Sequence, residues 1–209
     1  MPTSATRLKS RARRLLKALK AERRRFGGFD DSGGKRYRIG PLFMQAGALD
    51  EALDFYRAFD RWFPDDAGEP MNCFFWALTL HRAGNARGAE DRLLQTMVCN
   101  LYILPALLSE TAAREEMEHS SNWEEPEYVL SIPMEFSPVL TDSERDWIRS
   151  TLAGERLTRV RRAYIEANTA VRTAKDLAER QAILGRWYRL LDAELPGRRR
   201  RQRPSSAGP

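Results

Sequence analysis

Gly47 and Gly84 stand 37 residues apart, and each divides two stretches in which apolar residues recur with the helical period. Before Gly47, the residues Ile39, Leu42, Phe43 and Ala46 mark one helix face. After it, Leu49, Ala52, Leu53, Tyr56 and Phe59 mark another, which Pro64 ends. Around Gly84 the plan returns, with Cys73, Trp76, Ala77 and Leu80 before the turn and Ala86, Ala89, Leu93 and Met97 after it. Glycine suits both turns because a helix end commonly needs a left-handed residue. Asp50 and Glu51 then fall in the first turn of the following helix, where carboxylates meet the positive end of the dipole. A chain that repeats helix, turn, helix must stack its hairpins to bury their apolar faces. The fold class this predicts is all-α, with a core over 35–108.

The small residues carry the finer information. Gly40, Ala52, Ala77 and Ala89 let helix axes approach closely, with large side chains filling the space beside them. In this pattern the chain resembles the tetratricopeptide repeat (TPR), a helix–turn–helix of about 34 residues. Ile39 and Gly40 stand where that family places its Leu-Gly pair, Phe43 at its tyrosine, and Gly47 at its turn glycine. Ala52 takes the inner alanine, Tyr56 the aromatic and Pro64 the terminating proline. In the second unit Trp76, Ala77, Leu80, Gly84, Ala89 and Leu93 take the corresponding places. Leu101 departs from the pattern at the proline position, and Pro105 comes later. The resemblance covers 35–101. It implies a groove displaying Tyr37, Pro41 and Met44 from the first repeat and Phe74, Leu78 and His81 from the second. The lysines, arginines and asparagines of a carboxylate clamp are largely missing there. An apolar groove built from only two repeats suggests a chain that covers its own groove, with low exposure expected at Phe74 and Leu78.

Beyond the repeats the chain divides again. Residues 100–108 are apolar and predict a further packing helix. The segment 109–140 is acidic and then proline-interrupted, with Pro133 and Pro138. Its end, 128–140, should be extended and irregular, and apolar enough to lie buried; it is the candidate cover for the groove, with the following helices as the alternative. Thr141 and Glu144 form a capping box opening the C-terminal helical region, 141–195. Over 155–195 the residues Leu157, Val160, Tyr164, Ala167, Val171, Ala174 and Ala178 alternate steps of three and four. A break near Asn168–Thr173 and an antiparallel pair is the expected outcome; a homodimer through this seam is the alternative.

The formal charge of +6 conceals a division. Residues 1–36 carry +9 and 198–209 carry +5, leaving −8 on the body between them. Residues 6–25 form a basic helix within an arm, 1–34, whose glycine-rich end, 26–34, reads as a flexible linker; residues 196–209 read as a basic disordered tail. An Arg-rich start also has the character of a mitochondrial presequence, a weaker reading. Candidate phosphate contacts are Arg11, Arg13, Arg14, Arg23, Arg24 and Arg25, with Arg198, Arg199, Arg200 and Arg201 in the tail. Phe26 and Phe29 are the aromatics beside them.

No catalytic constellation emerges. His81 and His119 lack a companion at metal-ligand spacing, and Cys73 and Cys99 read as small hydrophobes inside helices. Acidic clusters at Glu115–Glu118 and Glu124–Glu127 lack the alternation of a calcium loop and read as solvated. No phosphate-binding glycine loop precedes a helix, and no apolar run nears the ~18 residues of a membrane span. The sequence therefore predicts a non-enzymatic scaffold in a reducing cytoplasm, without cofactor or metal, that binds an unidentified protein or peptide. The alternative is an adaptor that holds nucleic acid through its basic ends.

Overall fold

The computed structural model describes residues 3–29, 33–64, 66–133 and 137–195, so the expected basic tail lies outside the described residues. Among the described residues the regular structure is helical throughout, in ten helices. These are α1 (Ser4–Phe26), α2 (Lys35–Gln45), α3 (Leu49–Trp62), α4 (Pro70–Arg82) and α5 (Ala86–Cys99), then α6 (Ile103–Leu107), α7 (Tyr128–Ser131), α8 (Asp142–Ala153), α9 (Glu155–Thr173) and α10 (Leu177–Glu194). They fall into two compact units. The first comprises Met1–Phe63, Gly68–Leu93 and Ile132–Val139, and the second Pro64–Ala67, Leu94–Ser131 and Leu140–Pro209; the boundary runs through α5.

In the first unit the glycine turns stand where the sequence places them, with Gly47 at φ 69° and Gly84 at φ 76°. The amide of Ala48 donates to the Phe43 carbonyl at 2.9 Å and that of Asn85 to the Leu80 carbonyl at 2.9 Å, closing the two helix ends alike. Gly40 on α2 permits a close approach of α3. A Cβ there would run into the Tyr56 ring of α3, nearer than any real Cβ contact. The Tyr56 ring stacks on Trp76 of α4, with centroids 4.9 Å apart and planes 11° from parallel. Over the same indole lies the Arg92 guanidinium of α5, 3.2 Å from the centroid, and Arg92 also pairs with Asp60 of α3 at 3.1 Å. Trp76 and Arg92 stand equally far on either side of Gly84, so their meeting shows that α5 folds back along α4. Burial pushes the Tyr56 phenol well above its ordinary pKa.

Helix α4 is apolar nearly all round and buried without a break from Met71 to Thr79, as such a helix must be. Its start is fixed by Glu69, whose carboxylate accepts from the amides of Met71 and Asn72 at 3.2 and 2.7 Å, with Pro70 in the first turn. Helix α1 is not a free arm. It makes its most extensive contact with α2, burying Ala12 and Leu19 completely. Gly27 at φ 70° ends it, and Phe29 tucks against Phe63 and Trp62, with centroids 4.6 and 5.7 Å away. The stretch read as a flexible linker is therefore anchored by an aromatic side chain.

In the second unit α9 and α10 form the expected antiparallel pair, but the break falls at Ala174–Asp176, after the predicted place. Asp176 caps α10 by accepting from the Glu179 amide at 2.8 Å, while the Glu179 carboxylate accepts from the Lys175 amide at 2.8 Å. The seam of Leu157, Val160, Tyr164 and Val171 is buried, as are Ile183, Trp187 and Leu191 on α10. Tyr164 meets Trp187 at 5.2 Å. The predicted Ala167 cedes its seam position to Asn168, and Ala178 is exposed. The acidic stretch is tethered by ion pairs while its carboxylates stay partly or largely exposed. Glu115, Glu116 and Glu118 pair with Arg161, Arg172 and Arg180 of the hairpin, at 2.7, 2.6 and 3.4 Å. Asn100 holds the same stretch by donating to the carbonyls of Trp123 and Glu125 at 2.7 and 3.0 Å.

The segment 128–140 differs from expectation. Its start is a single helical turn, and Leu130 and Val139 are 86% and 88% exposed. Leu140 is buried as expected, and Met134 and Phe136 lie outside the described residues.

Two stability outcomes are expected. Gly40→Ala drives Tyr56 off Trp76 and lowers stability by about 2–3 kcal/mol, the scale of overpacking in a rigid core, measurable by urea unfolding with an unchanged m-value. Arg156 at 3.0 Å and Arg159 both hold Glu194 at the open end of the α9–α10 hairpin. Burial alone would raise that carboxyl's pKa, and the two guanidiniums more than offset it, so the net shift is downward. Its stabilisation is present above the ordinary carboxylate pKa and is lost as pH falls through the depressed one. Glu194→Gln should therefore lower the melting temperature by about 2–4 °C at pH 7, with the gap closing at strongly acidic pH.

Candidate binding surfaces on the first unit

The six residues of the predicted groove do not line an open one. Pro41, Met44, Phe74 and Leu78 are buried, with Phe74 at 0% and Leu78 at 1% exposure. Tyr37 is half-buried, 6.3 Å from Phe59, with the Arg36 guanidinium over its ring at 4.7 Å. His81 keeps partial exposure in the last turn of α4. The low exposure expected of Phe74 and Leu78 is thus found, and the display expected of the groove is not. Within this unit, Arg82 beyond them donates to the Val139 carbonyl at 3.2 Å.

An open groove lies elsewhere, between α1 and α3, with a volume of about 500 Å³. Its floor is apolar, formed by Leu16 of α1, Phe43 of α2, and Phe55, Ala58 and Trp62 of α3. Arg13 and Lys20 stand along one edge and Arg57 and Arg61 along the other, with Glu51 and Asp54 among them. Local sequence explains each edge. Arg13, Leu16 and Lys20 follow steps of three and four on α1, and Asp54, Ala58 and Arg61 do so on α3, so each set shares a helix face. One end of the groove is tied by Glu51, which accepts from Lys9 at 2.7 Å and Arg13 at 2.8 Å. The Lys9 hydrogen bond, assisted by Arg13 and opposed by burial, holds the Glu51 carboxyl below its usual pKa. Near the other end Lys20 stands over the Trp62 ring, its ammonium 5.9 Å from the centroid. Asp54 is paired with Arg57 at 3.3 Å.

The arginines predicted to contact phosphate have different surroundings. Arg13 is engaged with Glu51, and Arg11 is half-buried. Arg23 lies over Phe29 at 5.5 Å and Arg25 over Phe26 at 5.0 Å. Arg14 and Arg24 are exposed. Arg198, Arg199, Arg200 and Arg201 lie outside the described residues.

The histidines are placed one in each unit. His119, in the second, is largely buried, with Nε2 3.9 Å from a Glu125 oxygen. Cys73 is buried and Cys99 partly so, both as free thiols. Among the described residues no cluster of His, Cys, Asp and Glu side chains is arranged to hold a metal ion, and no helix is long and apolar enough to cross a membrane. The α1–α3 groove was not anticipated, although Arg13, Leu16 and Lys20 already share a helix face in the sequence. No protein-family model, curated protein or solved structure matches this chain.

The Glu51 tie leads to a further expectation. Glu51→Gln should speed amide exchange in the first turns of α1 at neutral pH while leaving α4 protected. A carboxyl with a depressed folded pKa contributes above its ordinary pKa and ceases to do so as pH falls through the depressed one. The difference from the native chain should accordingly vanish in acid, as followed by hydrogen–deuterium exchange at several pH values.

Proposed function

We propose that this chain is a non-catalytic protein-interaction module, a helical scaffold whose working surface is the α1–α3 groove. The observation that carries the reading is the groove's makeup: Leu16, Ala58 and Trp62 part-exposed over the buried Phe43 and Phe55, bounded by cationic side chains. An exposed apolar surface with a polar rim is the usual mark of a docking site. The occupant that fits is a short amphipathic helix from another protein. Its apolar residues, spaced to share one face, would meet Leu16, Ala58 and Trp62, and flanking carboxylates would meet Lys20 and Arg61. The scaffold reading is supported by the resemblance of α2–α3 and α4–α5 to TPR hairpins, which commonly serve to present binding surfaces. The concave face that such repeats use is here the less accessible one, as a self-covered groove would be. Free Cys73 and Cys99 agree with a reducing, cytoplasmic setting.

The test is selection of peptides from a random library on the full-length chain, followed by titration of the enriched sequences. The expected consensus has apolar anchors on one helical face flanked by Asp or Glu. Ala58→Arg, which fills the floor, should weaken binding of these peptides by at least about tenfold, or roughly 1.4 kcal/mol. Peptides lacking acidic residues, or peptides that bind the Ala58→Arg chain undiminished, would overturn the reading.

A further inference from the structure

Helix α1 holds ten Lys and Arg residues and a single acid, Glu22. Packing on α2 sorts them. Ala12 and Leu19 point inward, and the opposite face carries Arg7, Ser10, Arg14, Lys17, Ala21 and Arg24, all exposed. The basic residues of that face recur at steps of seven, three and seven, so they form a straight row about 26 Å long. The neighbouring carboxylates are already neutralised: Glu22 pairs with Lys35 at 2.6 Å, and Glu51 takes Lys9 and Arg13. The row therefore faces solvent as uncompensated positive charge on a rigid element. Such a row focuses a field that attracts a polyanion.

We infer that the outer face of α1 binds the phosphate backbone of double-stranded nucleic acid, through Arg7, Arg14, Lys17 and Arg24 and without regard to base sequence. This goes beyond the groove reading and does not depend on it. A duplex is the occupant the chemistry favours, for three reasons. The row has no large apolar side chain to seat a peptide, only Ser10 and Ala21 between the cations. Insertion into a lipid surface would need the apolar side chains of α1, of which Ala12 and Leu19 are buried and Leu16 faces the groove, on sides other than the basic row. Single-stranded binding relies on successive aromatic platforms; Phe29 is turned inward onto Trp62 and Phe63, which leaves Phe26, with Arg25 over its ring, as a single exposed ring at the end of α1. What remains is a line of guanidinium and ammonium groups suited to phosphate oxygens.

The experiment titrates full-length protein against a fluorescent 20-base-pair duplex by anisotropy over a range of salt concentrations. It compares the native chain with two variants. One replaces Arg7, Arg14, Lys17 and Arg24 by Gln; the other replaces Arg198–Arg201 by Gln. Because the four α1 residues are exposed, circular dichroism and the melting temperature should be unchanged in the first. The expected result is binding whose log–log salt slope falls by about 3.6 in the α1 variant, near 0.9 for each of four lost phosphate contacts, with affinity down at least about tenfold. An α1 variant that keeps the native affinity and slope, or a native chain that does not bind the duplex, overturns the inference. So does competition by polyglutamate or by phosphatidylserine vesicles at lower charge concentration than the duplex itself, which would assign the face to an acidic protein or to a membrane. Failure of the peptide selection above leaves this result unaffected, since the groove floor takes no part in it.

Discussion

The first unit depends on one glycine. The absence of a side chain at Gly40 allows the Tyr56 ring to lie directly against the α2 backbone, and from there the contacts run onward. Tyr56 stacks on Trp76, Arg92 covers Trp76, and Arg92 returns to Asp60 on the helix that carries Tyr56. Four helices are thereby fixed through two rings and one guanidinium. Arginine is suited to this place because its planar head can lie over an aromatic ring and hydrogen-bond a carboxylate at the same time, which a lysine ammonium does poorly. Half-buried, the Arg92–Asp60 pair also acts on register, since sliding α5 by one turn along α4 would part it from both Trp76 and Asp60.

That arrangement was legible in part. Gly40, Tyr56 and Trp76 stand at the positions where helical periodicity and small-residue placement put them, whereas Arg92 and Asp60 carry no such signal, and the glycine turns followed from the need for a left-handed residue. Thr141–Glu144 was readable because a capping box is local: both its hydrogen bonds lie within three residues. The same spacing at Asp176–Glu179 marks the start of α10 and gives the true position of the break, but the even rhythm of apolar steps across Ala174 and Ala178 masked it. Periodicity records which residues can share a face, not whether the chain stays helical between them.

The burial of α4 and the docking of α1 were less legible, for opposite reasons. Helix α4 has apolar residues on every side, so assigning one face to a groove had no basis in pattern; a helix of that composition is stable only when surrounded. Helix α1 has so few apolar residues that its docking rests on Ala12 and Leu19 together with ion pairs, Glu22 to Lys35 of α2 and Lys9 and Arg13 to Glu51 of α3. Long-range ion pairs have no sequence spacing to betray them. The same reason hid the tethering of Glu115, Glu116 and Glu118 to the α9–α10 hairpin, which linear composition presents as a solvated acidic stretch. The segment 128–140 shows the converse at Leu130 and Val139, apolar residues whose composition suggested burial and which stand exposed.

The stack beginning at Gly40 also has a use outside this molecule. Its members stand at intervals of 16, 20 and 16 residues, as glycine, tyrosine, tryptophan and arginine. Each interval is set by geometry: two reach across a hairpin turn, and the middle one spans the connection between hairpins. Substitutions at these places are coupled, because enlarging the glycine demands a smaller ring at 56, and losing the indole removes the reason for arginine at 92. Distant kin of this chain should therefore be recognisable by correlated change at four positions, even where little else in their sequences agrees.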